Sequence, residues 1–436
     1  MYMNEKNYVE FFRQTSPYIH AHRGKTFVIA LSGDALLARN FHSMIHDIAL
    51  LQSLGIRIVL VHGARPQINH RLRLSELNST FVQNIRVTDP ASMQCVKEAI
   101  GSTRFAIESE LSMGLPDSPM HGSHIRVVGG NFITAKPYGV EEGIDFQRAG
   151  HIRRVDTTAI NQQLSHGALV LISPIGFSPT GEAFNLSFQD IATHVAISLQ
   201  AEKLIFISQA SAIKDGEKIL RSLSLPQLAE LQETTKDSEH ADLLGAASYA
   251  CHGGVQRVHL VGYEQDGALL SELFTREGSG TLIMKQCAEI IRSANIEDVG
   301  GILNLIAPLE ERSVLVKRSR ELLENEISQF RVVVHPEGLI IGCAALYPTT
   351  NEVDGELACV AIHEEFHAQG IGARLLNQIE QDARNIGMSQ LLVMTTKAAH
   401  WFLEKGFSEA NIRDLPENKQ SMYNYQRNAR IFRKAI

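Results

Sequence analysis

A carboxylate and a glycine-containing turn lie close together near the C-terminal end of the sequence and could act in one reaction. Glu356 lies in GELACVAI (355–362), an apolar run with the composition of a buried strand. The turn QGIGA (369–373) follows and opens a helical pattern. Backbone N–H groups at a helix start bind phosphate groups, and glycine lets those groups approach closely. A carboxylate on the neighbouring strand can accept a proton from an amine.

The helix after this turn has one apolar face, which requires a core on one side. The stripe consists of six residues: Ile371, Leu375, Leu376, Ile379, Ala383 and Ile386. An ordinary helix start would carry the same glycines, so the turn alone is compatible with either a binding site or a plain connection.

Strand, turn and helix in this order resemble the donor-binding motif of the GNAT acyltransferases. LLVMTT and AAHWFLEKGF resemble the next motif of that family, and the likeness covers about residues 293–436. It implies acetyl-CoA as co-substrate, with no tightly bound cofactor and no metal, and Glu356 as the catalytic base. The implied donor contacts are Val360, Ile362, Gln369, Gly370, Gly372 and Ala373. His367 stands where the family commonly has Arg or Gln, and Phe402 replaces its usual tyrosine.

Two arginines are candidates for binding an acidic acceptor. Arg318 lies in SVLVKRSRELLENEI and Arg427 in YNYQRNARIFRK. Guanidinium groups suit carboxylates, although charge alone fits a solvated basic tail equally well. RSRELLE, TTKAAHWF and YNYQRN resemble the glutamate-acetylating members of the GNAT family. This implies L-glutamate as acceptor, N-acetyl-L-glutamate as product in the first step of arginine biosynthesis, and Arg318 and Arg427 as carboxylate ligands.

The elements before this region follow a different plan. Short β-branched runs alternate with helical stretches, and the strands are predicted at 26–31, 56–63, 168–176, 203–208 and 255–262. We therefore predict an α/β fold: a large open, mostly parallel sheet sandwich followed by a smaller α+β domain. The predicted boundaries are 1–285 for the first domain, 286–292 for a linker and 293–436 for the second domain.

The first domain resembles the amino acid kinase family across almost all of residues 25–285. IVLVHGARPQIN, SPTGEAFNLSFQDIATHVAISLQAEKLIFIS and LLSELFTREGSGTLI carry the likeness. The family's catalytic lysine is replaced by Ala30, and Ala64 and Arg65 interrupt its phosphate-binding glycines. Phosphoryl transfer depends on positioned charge and close backbone contacts, so we expect a domain without kinase activity.

A regulatory use is implied by the N-terminal segment. YVEFFRQTSPYIHAHRG resembles the extra helix of arginine-sensitive amino acid kinases, and we predict a helix over residues 1–20. The resemblance implies a homo-oligomer, a ring hexamer held by this helix, and an L-arginine site lined by Tyr18, Lys203, Glu277 and Gly280. Without it, Lys203 would be an ordinary strand residue and REGSGT an ordinary turn.

Composition excludes several other classes. The chain has 436 residues with 41 basic and 48 acidic side chains, a formal net charge of -7. That charge disfavours nucleic acid and anionic lipid as partners. The five cysteines are scattered and none is spaced as CxxC, which fits a reducing compartment. No signal peptide or membrane span is visible, so we expect a cytoplasmic protein.

Three alternative functions stay open at this point. A protein-lysine acetyltransferase would need an acidic groove, against which the basic C-terminal tail counts. A pure arginine sensor would not need the glycine turn together with Glu356. A bifunctional acetyltransferase and kinase is opposed by Ala30 and by Ala64 and Arg65.

Overall fold

The computed structural model of the chain divides into two compact units, Met1–Cys287 and Ala288–Ile436. The described residues are 15–114, 120–209, 213–215, 218–234, 239–275, 278–285, 289–335, 338–349, 353–367, 370–414, 420 and 429–436. Each unit has its own sheet and its own core, as the predicted change of topology requires.

The first unit alternates strands and helices along the chain. Its strands are β1 (Thr26–Leu31), β2 (Arg57–His62), β3 (Thr80–Val82), β4 (Ile85–Val87), β5 (Val127–Gly129), β6 (Ile133–Pro137), β7 (Val140–Glu141), β8 (Ile144–Asp145), β9 (Gly150–Val155), β10 (Leu169–Ile172), β11 (Ile175–Phe177), β12 (Ala183–Asn185), β13 (Lys203–Ser208), β14 (Lys214–Asp215), β15 (Lys218–Ile219), β16 (Ser222–Ser224), β17 (Arg257–Gly262) and β18 (Thr281–Met284). Its helices are α1 (15–22), α2 (Phe41–Ser53), α3 (Arg65–Leu74), α4 (Pro90–Leu111), α5 (Thr157–Ser165), α6 (Phe188–Ser198), α7 (Leu225–Thr234), α8 (Glu239–His252) and α9 (Ala268–Phe274).

The main sheet of this unit has the order β16-β18-β17-β13-β1-β2-β10-β5 within the described residues. The neighbours from β17 to β5 pair in parallel, and β17 pairs with β18 antiparallel. The mostly parallel sheet predicted from the sequence is therefore confirmed. Residues 15–22 form the described part of the predicted N-terminal helix, whose first fourteen residues lie outside the described ranges.

The central strands are buried on both faces. All six residues of β1 and of β13 are buried, which explains their continuous apolar sequences. Val28 and Phe206 belong to the core on the face covered by α6 and α8. Phe27 points to the opposite face, where the His22 ring of α1 lies 5.3 Å from it and 5.7 Å from Phe274 of α9. The N-terminal helix thus packs on the sheet face that also carries α9.

The second unit is an α+β domain. Its strands are β19 (Ile290–Ser293), β20 (Phe330–Val334), β21 (Ile340–Pro348), β22 (Asp354–Ile362), β23 (Gln390–Thr395), β24 (Ser408–Ala410) and β25 (Arg430–Ala435), and its helices are α10 (Val299–Glu311), α11 (Arg320–Glu326), α12 (Ile371–Asn385) and α13 (Ala399–Glu404). The sheet order is β19-β20-β21-β22-β23-β25-β24 in the part of the chain that is described. Residues 290–292 of the predicted linker belong to β19, because Ile290 and Ile291 pair with the apolar strand β20.

The helices of the second unit cover both faces of its sheet. Helix α12 packs on one face with Phe402 of α13, and α10 and α11 pack on the other. Most of the predicted stripe of α12 is buried, from Ile371 to Ala383. Ile386 is instead 60% exposed, because the helix ends at Asn385 and its cap residue turns away from the core. The prediction that Ile386 is buried is therefore wrong.

Candidate functional site

Strands β22 and β23 separate partway along the sheet of the second unit. They pair in parallel only from Asp354 to Leu357, whereas β22 continues to Ile362. Residues 358–362 therefore make no strand pairing on the β23 side among the described residues. Val360 and Ile362, both predicted donor contacts, lie on this unpaired edge. An unpaired strand edge offers N–H and C=O groups to an extended ligand.

A β-bulge at Cys359 reverses the facing of β22 just beyond the separation. Cys359 has a φ of 51°, and the register with β21 shifts at this point. Leu357 packs on the α12 face, whereas Cys359 packs on the α10 and α11 face. Glu356 alternates with Leu357, so its side chain projects from the same face as Cys359. Glu356 therefore lies on the α10 and α11 face, just before the bulge and the unpaired strand edge.

Helix α12 begins at the C-terminal end of β22. Gly370 is its N-cap and has a φ of 74°, a left-handed conformation that glycine adopts without strain. The first-turn N–H groups of Ile371, Gly372 and Ala373 have no acceptor inside the helix. A Cβ built on Gly372 would lie 3.8 Å from Cγ1 of Ile362, which places these donors next to the strand edge. Gln369, the remaining predicted contact, lies outside the described residues.

His367 ties the turn to the strand. Its Nε2 donates to the carbonyl oxygen of Ile362 at 3.0 Å. The residue that departs from the GNAT pattern therefore holds the loop by a hydrogen bond to the last carbonyl of β22.

Arg318 lies on the same face of the sheet as Glu356. Its backbone N–H donates to Oε1 of Glu310 at 2.9 Å, which fixes the chain just before α11. Burial would lower the pKa of Arg318, but Cys359, Tyr347 and Glu326 together raise it above its usual value. Tyr347 and Cys359 place the guanidinium against β21 and β22, and Glu326 lies at the end of α11.

Arg320 is directed elsewhere. It is 70% exposed and its Nε donates to Glu324 one helical turn later, at 2.8 Å. Of the two arginines in RSRELLE, Arg318 is the one whose guanidinium lies near Tyr347 and Cys359, on the sheet face of Glu356. Arg427 lies outside the described residues, so its place in the site stays a prediction.

A second cluster of polar groups is buried in the first unit. Lys203 is 1% exposed, and its Nζ lies 3.1 Å from Nε2 of His259. Nδ1 of His259 donates to Oε1 of Glu272 at 2.7 Å. Oε2 of Glu272 accepts the backbone N–H groups of Ser279 and Gly280, each at 2.7 Å. A chain of hydrogen bonds therefore links Lys203 to Gly280, two of the four residues predicted to line the arginine site.

Tyr18 lies on the sheet face that carries this cluster. Its ring lies 6.4 Å from that of His22, which packs on Phe27, and Phe27 is the cross-strand partner of Lys203. Glu277, the predicted acidic member, lies outside the described residues.

Glu272 is a residue that the sequence analysis missed. Burial would raise its pKa, but hydrogen bonds from His259, Gly280 and Ser279 hold that pKa below its usual value. The carboxylate is therefore charged at neutral pH. The available signal was a glutamate inside the mainly apolar helix sequence ALLSELF.

Packing residues occupy the positions of the kinase machinery. Ala30 is fully buried in β1 and supplies no charge where the amino acid kinases have their lysine. Arg65 donates to the backbone carbonyl of Asn84 at 3.1 Å, and its guanidinium lies 4.5 Å from the centre of the Phe81 ring.

Gly33, in the loop after β1, is tightly enclosed by the start of α3. A Cβ on Gly33 would lie 2.5 Å from Cδ of Pro66 and 2.9 Å from the backbone nitrogen of Arg65. The loop after β1 and the start of α3 thus pack directly on one another.

The described ranges hold neither a metal-ion cluster nor a helix suited to cross a membrane. They contain no group of three or more His, Cys, Asp or Glu side chains arranged to hold a metal ion. No helix within them has the length and apolar character needed to cross a membrane.

Two family models match the sequence. The amino acid kinase family matches residues 25–262, and the acetyltransferase (GNAT) domain matches residues 327–409. Both resemblances drawn from the sequence motifs are confirmed.

Relatives of known name match the whole chain. An amino-acid acetyltransferase of Azotobacter vinelandii (strain DJ / ATCC BAA-1303) is 49% identical over 432 residues, covering 99% of this chain and 100% of the relative. One of Pseudomonas fluorescens (strain SBW25) is 50% identical over 431 residues, covering 98% and 99%. The crystal structure of N-acetylglutamate synthase from Neisseria gonorrhoeae complexed with coenzyme A and L-arginine is 38% identical, with a TM-score of 0.79 over 98% of this chain and 99% of that one.

Proposed function

The chain belongs to the family of amino-acid acetyltransferases that includes N-acetylglutamate synthase, and from that membership we propose its reaction. Acetyl-CoA and L-glutamate give N-acetyl-L-glutamate and coenzyme A, the first step of arginine biosynthesis, in the cytoplasm. The observation that carries the proposal is the separation of β22 from β23 beside the start of α12, with Glu356 one residue before the last paired position. This arrangement provides a donor-binding edge, an anion-binding helix start and a base at one place.

The chemistry follows from these positions. The helix start binds the pyrophosphate of acetyl-CoA, and the free edge of β22 pairs with its pantetheine arm. Glu356 takes a proton from the ammonium group of glutamate, directly or through one water, and the neutral amine attacks the thioester carbonyl. The nitrogen of the tetrahedral intermediate gives up its second proton to water, and the intermediate expels the thiolate of coenzyme A. Model thiols have a pKa of about 8.5, so this leaving group is stable enough to depart before it is protonated.

The substrate assignment can be tested by measuring thiol release from acetyl-CoA. The purified protein would be assayed with L-glutamate, with other amino acids and with a basic peptide. We expect release with glutamate to exceed release with the other acceptors by at least tenfold. Release that depends on the peptide instead would point to a protein-lysine acetyltransferase, and no release with any acceptor would point to a non-catalytic sensor.

Arg318 is proposed to bind a carboxylate of glutamate. Arg318→Ala should raise the glutamate KM roughly ten- to a hundredfold, because a charge-assisted hydrogen bond in a partly buried site contributes about 1.5–3 kcal/mol. Steady-state kinetics with varied glutamate would measure this. Arg320→Ala is the matched control and should change that KM less than threefold. Equal discrimination between glutamate and glutamine before and after Arg318→Ala would contradict the assignment. Arg427→Ala should behave as Arg318→Ala does.

We further propose that L-arginine inhibits by binding in the first unit. Lys203 and Glu272 provide opposite charges for the two ends of this amino acid, and Tyr18 and Gly280 lie in the same region. The relative from Neisseria gonorrhoeae was crystallised with L-arginine, which supports the proposal for this chain. Inhibition requires that arginine bind two states of the protein with different affinity.

We propose that the chain forms a ring hexamer joined by the N-terminal segment. The two states are then two arrangements of the subunits in this ring. Deleting residues 1–14 leaves Tyr18 and His22 in place and so spares the packing of α1 on the sheet. We expect a smaller oligomer and weaker inhibition by arginine, measured by light scattering and by activity. An unchanged mass together with unchanged inhibition would contradict this role.

A further inference from the structure

Tyr347 lies directly opposite Glu356 on the neighbouring strand. The two residues are register partners in the antiparallel pair of β21 and β22. Cross-strand partners project from the same face of a sheet, so the phenol of Tyr347 lies on the same face as the side chain of Glu356. Its hydroxyl donates to Oε2 of Glu326, at the end of α11, at 2.6 Å.

The same hydroxyl lies beside the guanidinium of Arg318. Interaction with Tyr347 contributes to the raised pKa of Arg318. Burial and the hydrogen bond to Glu326 raise the pKa of Tyr347 above its usual value, and Arg318 opposes that rise. Apart from Tyr347, the hydrogen-bond acceptor of this guanidinium in the described part of the chain is the carbonyl oxygen of Val316, at a long 3.4 Å. Within the described residues, most of its five N–H donors are therefore available to a ligand.

Glu326 is a potential competitor for those donors. It is a carboxylate close enough to Arg318 to raise the pKa of the guanidinium, yet its hydrogen bond goes to Tyr347. If the hydroxyl were absent, Glu326 would lose its donor and could bond to Arg318 directly. The carboxylate of Glu326 would then occupy the N–H groups of Arg318 that a substrate carboxylate needs.

We propose that Tyr347 is a positioning residue for the acceptor, which satisfies Glu326 and thereby keeps the guanidinium of Arg318 open to a carboxylate of the substrate. This inference rests on the proposed role of Arg318 in binding glutamate. It assigns Tyr347 no contact with the reacting atoms. Tyr347 therefore affects the affinity for glutamate and does not affect the binding of acetyl-CoA.

Tyr347→Phe removes only the hydroxyl and is the direct test. We expect the glutamate KM to rise about five- to twentyfold, with kcat and the acetyl-CoA KM within twofold, measured by initial rates of thiol release from the full-length protein. Tyr249→Phe, at an exposed tyrosine of the first unit, is the control and should leave all three constants unchanged.

A rescue experiment separates this mechanism from a general loss of structure. Adding Glu326→Gln to Tyr347→Phe removes the competing charge and should return the glutamate KM to within threefold of the original. An unchanged KM in Tyr347→Phe, or a raised KM that Glu326→Gln does not rescue, would overturn the inference. Glu326→Gln alone should change KM less than threefold; a tenfold rise would make Glu326 itself part of the binding site and would also overturn it.

Arg318→Ala distinguishes failure of this inference from failure of the acceptor assignment. If Arg318→Ala raises the glutamate KM and Tyr347→Phe does not, the positioning role is wrong and the acceptor assignment stands. If Arg318→Ala leaves that KM unchanged, the acceptor assignment is wrong and the positioning role falls with it. If Tyr347→Phe raises KM by the same factor in the Arg318→Ala background, the two residues act independently, which also overturns the inference.

Discussion

Glu356→Gln is expected to lower kcat by about 10²–10⁴-fold while acetyl-CoA still binds, because a positioned general base contributes this much to a proton transfer. Glutamine keeps the size of the side chain and cannot accept the proton of the ammonium group. The measurement combines steady-state kinetics with direct titration of acetyl-CoA binding. Glu404→Gln, at an exposed glutamate of the same unit, is the matched control and should keep full activity.

Cys359 provides the competing mechanism. Its hydrogen bond with Cys343 and its proximity to Arg318 lower the pKa of this thiol, against the effect of burial. A thiolate of Cys359, on the same face of the sheet as Glu356, could accept the acetyl group before glutamate does. Direct transfer predicts that Cys359→Ala remains active and that no acetyl-enzyme accumulates with acetyl-CoA alone. Trapping such an intermediate on Cys359 would exclude direct attack by the amine.

Glu272→Gln is expected to raise the arginine concentration for half-inhibition about ten- to a hundredfold, with kcat within threefold. The reason is the loss of a charged hydrogen-bonding partner in a buried cluster, worth about 1.5–3 kcal/mol. Activity would be measured against arginine concentration at fixed substrates.

Glu277→Gln is the informative comparison, because the sequence motif pointed to Glu277. If Glu277→Gln abolishes inhibition and Glu272→Gln does not, the sequence-based choice is right and the hydrogen-bonded cluster has another role. Arginine that competes directly with glutamate in the full-length protein would contradict a separate regulatory site altogether.

The sequence did not predict that Glu272 is the carboxylate in the buried cluster with Lys203. The motif REGSGT identified the loop, and Gly280 lies beside the cluster that contains Lys203. The carboxylate within the cluster comes from α9, several residues earlier. Side-chain hydrogen bonds to the backbone depend on how a helix and a loop pack, and no local pattern encodes this packing.

Strands were predictable where burial is continuous. The expected bounds 26–31 and 203–208 are those of β1 and β13, because parallel strands covered on both faces require unbroken apolar sequences. The position of Glu356 on a strand was likewise predictable, and β22 contains it. Tyr347 was not, because pairing it with Glu356 requires the register of two strands whose alignment shifts at the bulge beside Cys359.

The close packing of Gly33 has a consequence for how this protein could change over evolutionary time. A methyl group at that position would overlap the ring of Pro66 and the backbone of Arg65, so substitution there disturbs the loop whether or not any phosphate is ever bound. Natural selection would preserve such a glycine for its lack of volume, whether or not a lysine stands at the position of Ala30. A glycine in this loop therefore measures how tightly the fold packs there and is not a measure of kinase activity.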